Sequence, residues 1–200
     1  MPDSVVSSDA GRNDELMARS EQAVAVALKA GADNAWAWAS RSRSVETVFR
    51  DQALEEVKES TSRSLSISLY VNGRFSRHST TDLRPATLDG FIAEAVELTR
   101  ALEVDPDRLI TDPRLFEGRA EIELDRSDPD ISRLTPEDRI TLCQAMIERA
   151  GRHEKTISAS ASVSSGQSQV AGYSSNGFAG FSEGTSAWAG AEATLHDGDR

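Results

Sequence analysis

The apolar residues of the chain follow two alternating periods. Between Asp14 and Ala30, Leu16, Ala23, Val24, Ala27 and Leu28 recur at three-and-four spacing. That spacing predicts an amphipathic helix with Asn13 as its N-cap and Gly31 as its stop. The period then drops to two. Trp36 and Trp38 share one face, Val45, Thr47 and Phe49 alternate with polar residues, a turn is expected at Asp51-Gln52, and Leu54–Glu59 reads as a short strand. Ser64–Val71 is the clearest strand, with Leu65, Ile67, Leu69 and Val71 on one face and Ser64, Ser66, Ser68 and Tyr70 on the other. This is the pattern of a half-buried antiparallel strand. Asn72-Gly73 is a two-residue hairpin signal, because both positions need positive φ, and Arg74–Thr80 is the expected return strand.

A second helix is expected from Pro85 over Ala86–Glu103, with Leu88, Phe91, Ile92, Ala95, Leu98 and Leu102 as its buried stripe. Residues 105–134 are rich in Asp, Pro and Arg and read as a connector with one short strand at Glu121–Leu124. Thr135-Pro136-Glu137-Asp138 opens a third helix: a cap, a first-position proline and two acids at the positive end of the dipole. Ile140, Cys143, Met146, Ile147 and Ala150 form its apolar stripe before Gly151. Strands follow at Thr156–Ser164, Gln167–Tyr173, Phe178–Phe181 and Thr185–Leu195, with turns at Ser164-Ser165-Gly166, Asn176-Gly177 and Asp197-Gly198. In the last strand Ala187, Ala189, Ala191, Ala193 and Leu195 share one face.

The expected fold class is α+β, with mostly antiparallel sheets and helices packed on one face. Helix, glycine stop, alternating strands and a turn occur twice, which reads either as a duplicated helix-then-strands unit or as coincident punctuation. The expected divisions are a disordered leader over 1–12, a first unit with the second helix over 13–104, the connector over 105–134, and a second unit over 135–200. Because a turn signal stands so close to Arg200, the chain is expected to be the N-terminal part of a longer protein, the second unit being cut short.

Charge narrows the classes of partner. Lys plus Arg is 22 and Asp plus Glu is 33, a net charge of −11. Nucleic-acid binders and anionic-membrane binders need the opposite balance. The locally basic run of Arg41, Arg43, Arg50, Lys58 and Arg63 is read as solvated strand faces. The one cysteine, Cys143, allows no internal disulfide, and Met1–Asn13 carries no apolar run. A reducing cytoplasm is therefore the expected compartment.

A search for chemistry leaves no residue assigned as catalytic, cofactor-binding or metal-ligating. His78, His153 and His196 do not pair in sequence. His153-Glu154 lacks the second histidine of a zinc helix, since Ile157 and Ser158 stand where it would fall. No G-x-S-x-G elbow, phosphate loop or dinucleotide fingerprint is present, and nothing selects Glu55-Glu56 from the other solvated acids. Cys143 is expected in the core. Trp36 and Trp38 are the best aromatic candidates: they either grip an extended peptide or pack under the neighbouring helix.

The order of several short motifs carries a resemblance. Ala27-Leu28-Lys29-Ala30-Gly31-Ala32-Asp33 leads into a strand, and the sheet segment from Ser66 to Arg74 is followed by Ser79-Thr80-Thr81-Asp82-Leu83 before a helix. Leu134 to Ile140 and the Tyr173-Ser174-Ser175-Asn176-Gly177 turn come later. Together they resemble the N-terminal region of the TldD/PmbA family, historically called modulators of DNA gyrase, with spacing closer to the PmbA (TldE) branch. The likeness covers residues 16–200. It implies a full-length protein about twice as long and a heterodimeric peptidase that processes or degrades small, unfolded peptides. It also implies a zinc site, an H-E-x-x-x-H helix plus a cysteine, in the C-terminal half of the TldD-type subunit. No position here matches that motif. The resemblance thus implies no cofactor in this chain, zinc in a TldD-type partner, and a dimer with that partner or with itself. A TldD-type catalytic chain, or a non-proteolytic modulator of DNA gyrase acting by protein binding, is the alternative.

Overall fold

The computed structural model describes residues 7–51, 53–120 and 122–198, with the backbone alone for residues 7–14. The elements, in order, are α1 (Ser7–Lys29), β1 (Asn34–Arg50), β2 (Ala53–Val71), β3 (Arg74–Thr80) and α2 (Pro85–Arg100). A 3-10 turn (Pro113–Phe116) follows, then α3 (Pro129–Arg133), α4 (Pro136–Ala150), β4 (Thr156–Ser174) and β5 (Ala179–Leu195). The strand order is β3-β2-β1-β4-β5. The chain is α+β, as expected. The β2–β3 pair is antiparallel, running from Val71 opposite Arg74 to Leu65 opposite Thr80 around the Asn72-Gly73 turn. Both turn residues are left-handed, with φ of 50° and 71°.

The strands are longer than their sequence suggested. Val45, Thr47 and Phe49 continue the Trp36 strand without a break, and Leu54–Glu59 is part of β2 rather than a separate strand. Ser164-Ser165-Gly166 is not a turn but the middle of β4. A built Cβ on Gly166 would meet the Ser186 hydroxyl at 3.0 Å and the Arg43 carbonyl at 3.5 Å, so glycine here marks close strand neighbours. Of the strand expected at 121–124, residue 121 lies outside the described residues and the rest is irregular. The leader expected over 1–12 falls in part outside the described residues; α1 begins at Ser7, ahead of the expected Asn13 cap.

The chain forms two compact units, one from residues up to Arg41, Ser62–Leu124 and Gln169–Ser182, the other from Ser42–Thr61, Asp125–Ser168 and from Glu183 onward. In the first unit, α1 and α2 cover one face of the sheet. Leu16, Ala23, Val24 and Ala27 of α1 meet Ala35, Ala37 and Ala39 of β1, Leu65, Ile67, Leu69 and Val71 of β2, and Leu88, Ile92, Ala95 and Val96 of α2. The small alanines of β1 let α1 lie close to the strand. Ser20 bridges that contact, donating from its hydroxyl to the Ala171 carbonyl at 3.0 Å and accepting the Ala39 N–H at 3.1 Å. Helix α1 ends in a Schellman arrangement: Gly31 has φ of 97°, and the Ala32 N–H reaches the Ala27 carbonyl at 3.0 Å.

The α2 stripe departs from expectation at its end. Leu98 and Leu102 are exposed, and Thr99 takes the buried position. Its hydroxyl satisfies itself on the Ala95 carbonyl at 2.6 Å and shares a hydrogen with Ser76, so burial of this polar residue leaves nothing unpaired.

In the second unit, α4 lies on Phe49, Ala159, Ala161 and Val163 through Cys143 and Ile147. The helix opens with a capping box: Thr135 Oγ accepts the Asp138 N–H at 3.1 Å, and Asp138 accepts the Thr135 N–H at 2.9 Å. Thr135→Ala is expected to cost about 1 kcal/mol of stability in chemical denaturation. Those bonds, the Thr135 N–H foremost and its hydroxyl next, hold the Asp138 carboxyl below the ordinary value of 3.8. A carboxyl depressed in the folded state contributes stability above its unfolded pKa, and loses it as pH falls through the folded value. Acidification below about pH 4 is therefore expected to erode the stability of the native chain more steeply than that of Asp138→Asn.

Arg139, in the same turn, is buried; it donates to the Leu134 carbonyl at 2.8 Å and to Ser165 Oγ at 2.7 Å. At the β1–β2 turn Asp51 is left-handed with φ of 48°. Its carboxylate accepts the Ala159 N–H at 2.9 Å, and this bond, with a second from Ser158, lowers its pKa. Strand β5 is outermost, so its alanine row from Ala187 to Ala193 is exposed.

Candidate functional site

Trp36 and Trp38 lie on the sheet face opposite α1 and α2. The alternating Ala35, Ala37 and Ala39 point to the helices, and period two sends the indoles the other way. The rings stack with centroids 5.5 Å apart and planes 23° apart. Phe178, just past the Asn176-Gly177 turn, packs on both, at 5.2 Å from Trp36 and 5.5 Å from Trp38. Phe116 closes the group at 6.0 Å from Trp36 and 5.3 Å from Phe178, edge-on to Trp36. All four rings are half-buried. A glycine makes the platform possible: a Cβ on Gly172 would come within 2.3 to 2.8 Å of three atoms of the Trp38 ring. Neither Phe116 nor Phe178 was singled out by sequence; Phe116 stands in the connector, and only its place after Pro113 hinted at an ordered turn.

The segment that delivers Phe116 lies across these rings as a strap. Asp112 caps the 3-10 turn by accepting the Arg114 N–H at 2.9 Å. Asn176 Nδ2 donates to the Thr111 carbonyl. Arg119 donates to the Ala179 carbonyl at 3.3 Å, with its guanidinium 5.0 Å from the Phe178 ring centre. The Trp36 indole N–H is buried and has no acceptor among the described residues.

The other chemical candidates are dispersed. His78 shares a hydrogen bond with Ser76 at 2.9 Å and stands edge-on to Phe91. His153 accepts the Lys155 N–H at 3.2 Å through Nδ1 and is exposed, as is His196. Among the described residues no group of three or more His, Cys, Asp or Glu is arranged to hold a metal ion. Cys143 is fully buried, with its thiol pKa pushed up by burial and its sulfur 3.6 Å from the Thr47 carbonyl. That is a core thiol and not an activated one. Two cations of the basic run are paired locally: Arg43 with Glu59 at 2.7 Å, and Arg50 with Glu55 at 3.1 Å. No helix among the described residues is long and apolar enough to cross a membrane.

Residues 39–99 match the domain described as PmbA/TldA metallopeptidase domain 1. Among solved structures, the chain is similar to a candidate modulator of DNA gyrase from Bacteroides thetaiotaomicron, with a TM-score of 0.87 and 30% identity over 92% of this chain and 42% of that one. TldE from Thermococcus kodakarensis shares the fold at a TM-score of 0.75 and 16% identity, over 91% of this chain and 40% of that one. A candidate modulator of a DNA gyrase from Thermotoga maritima shares it at 0.70 and 12% identity, again over 91% and 40%. No curated protein matches the chain. The chain spans less than half the length of these solved relatives. The match over residues 39–99 and the fold shared over 92% of the chain identify it as similar to the first-domain region of the TldD/PmbA family.

Proposed function

We propose that this chain is the first domain of a PmbA (TldE)-type, non-catalytic subunit in a zinc metallopeptidase complex that processes or degrades small, unfolded peptides. The observation that carries the reading is the match of residues 39–99 to the first domain of a metallopeptidase family. Its partner is a TldD-type zinc subunit, or a second copy of itself, and zinc resides in the TldD-type chain. Long antiparallel strands suit peptide capture by backbone pairing, which tolerates varied side chains. The net charge of −11 disfavours direct contact with nucleic acid. A lone buried cysteine suits a reducing cytoplasm.

Reconstitution tests the role. The full-length protein is mixed with its cognate zinc subunit, and hydrolysis of an unfolded peptide is measured. Activity that depends on both chains is expected; a zinc subunit equally active alone removes the partner role. An H-E-x-x-x-H motif elsewhere in the full-length protein would instead make it the zinc-bearing subunit. The names of two solved relatives favour a second reading, a protein-binding modulator of DNA gyrase; a pull-down that recovers no topoisomerase weighs against it.

A further inference from the structure

We infer that the 111–119 strap is an internal plug on a peptide site: Phe116 occupies, in cis, the place that an aromatic side chain of an extended peptide takes on the Trp36–Trp38–Phe178 platform. This rests on the peptide-handling function proposed above and names a binding surface for it.

Three observations converge. The first is how little of the strap touches the platform. Phe116 is its one ring on the cluster, while Leu115 is 73% exposed. Asp112 and Arg114 pair with each other instead of with the sheet. Among the described residues its other ties are the Asn176 bond to the Thr111 carbonyl and the Arg119 contacts with Ala179 and Phe178. A segment with few buried apolar contacts opens at low cost, without unfolding the unit beneath it.

Second, the closed arrangement is imperfect. In it the Trp36 indole N–H is buried with no acceptor among the described residues. Buried donors are almost always paired, and an unpaired one raises the free energy of the state that contains it. A peptide on the same rings brings a carbonyl every residue and can supply that acceptor.

Third, the platform itself does not depend on the strap. Trp36 and Trp38 are fixed by β1, Phe178 packs on both, and Gly172 leaves Trp38 room to lie flat on β4. Removing Phe116 therefore uncovers a formed aromatic surface and does not collapse it.

An internal competitor scales apparent affinity by the fraction of time that it is absent, so a plug in place roughly nine-tenths of the time weakens binding about tenfold. The test follows Trp emission in a Trp188→Phe background, since Trp188 is 58% exposed and outside the cluster; Trp36 and Trp38 then supply the signal. The probe is N-acetyl-Ala-Phe-Ala-amide, with N-acetyl-Ala-Ala-Ala-amide as the control. Phe116→Ala is expected to tighten binding of the Phe peptide by about tenfold or more, to leave the control unbound, and to make Trp36 and Trp38 more accessible to acrylamide. Arg119→Ala, which loosens the strap while keeping all four rings, is expected to move affinity the same way by a smaller factor. It serves as the readout if Phe116→Ala does not fold by circular dichroism. Unchanged affinity in the folded variant, equal binding of both peptides, or binding to neither would overturn the plug. Loss of the peptidase role would appear separately, as a full-length complex that cleaves no peptide while these affinities still shift.

Discussion

Leu69→Ala is expected to destabilise the chain by about 2–5 kcal/mol, read as a lowered midpoint in urea denaturation. Leu69 is fully buried near the C-terminal end of β2, within the cluster that joins the sheet to α1 and α2. Truncation removes the transfer energy of the lost methyl-bearing carbons and leaves a cavity. The surroundings relax poorly, because neighbours on the same face, Leu65, Ile67 and Val71, are themselves fully buried and held in strand register with β3. Ser68→Ala, one position away on the opposite face, is expected to change the midpoint little, since Ser68 is only half-buried and contributes no side chain to that cluster. A larger loss at Ser68 than at Leu69 would mean that the faces of β2 are assigned the wrong way round.

Gly172→Val is expected to cost about 1–3 kcal/mol or more and to disturb the aromatic platform. Even a Cβ would stand 2.3 Å from Trp38 Cζ3, inside any real contact distance, and valine adds two further methyl groups. The indole must leave its place on the strand, and with it the stacking on Trp36 and the contact with Phe178. The signature is a red shift of Trp emission in the Trp188→Phe background together with the loss of stability. Gly90→Ala gives the contrast, because nothing lies within 4 Å of a Cβ there and the residue sits in α2. At that helical site alanine is expected to raise stability by up to about 1 kcal/mol.

The local features of the fold were legible wherever a single residue type answers a single backbone need. The alternation from Leu65 to Val71 placed β2 and its buried face. Asn72-Gly73 placed the hairpin, Gly31 the end of α1, and Thr135-Pro136 the start of α4. Non-local features were not legible. The serine and glycine run at 164–166 looks like a turn, yet it is held extended in the interior of β4. Thr99 replaced the expected Leu98 because a hydroxyl that bonds back to its own helix can be buried without penalty. The aromatic site was half visible. Two tryptophans at spacing two announced a shared face, but the rings that complete it come from the connector and from the far side of the Asn176-Gly177 turn. No periodicity links residues so distant in sequence; only tertiary packing brings them together.

Under the proposed function, this chain supplies a binding surface and the reactive zinc is assigned to a TldD-type partner. Purifying the 200-residue chain, then measuring its zinc content by elemental analysis and its hydrolysis of an unfolded fluorogenic peptide, tests that division most directly. Substoichiometric zinc and no cleavage above the buffer rate are expected. One tightly held zinc per chain with chelator-sensitive cleavage would contradict it.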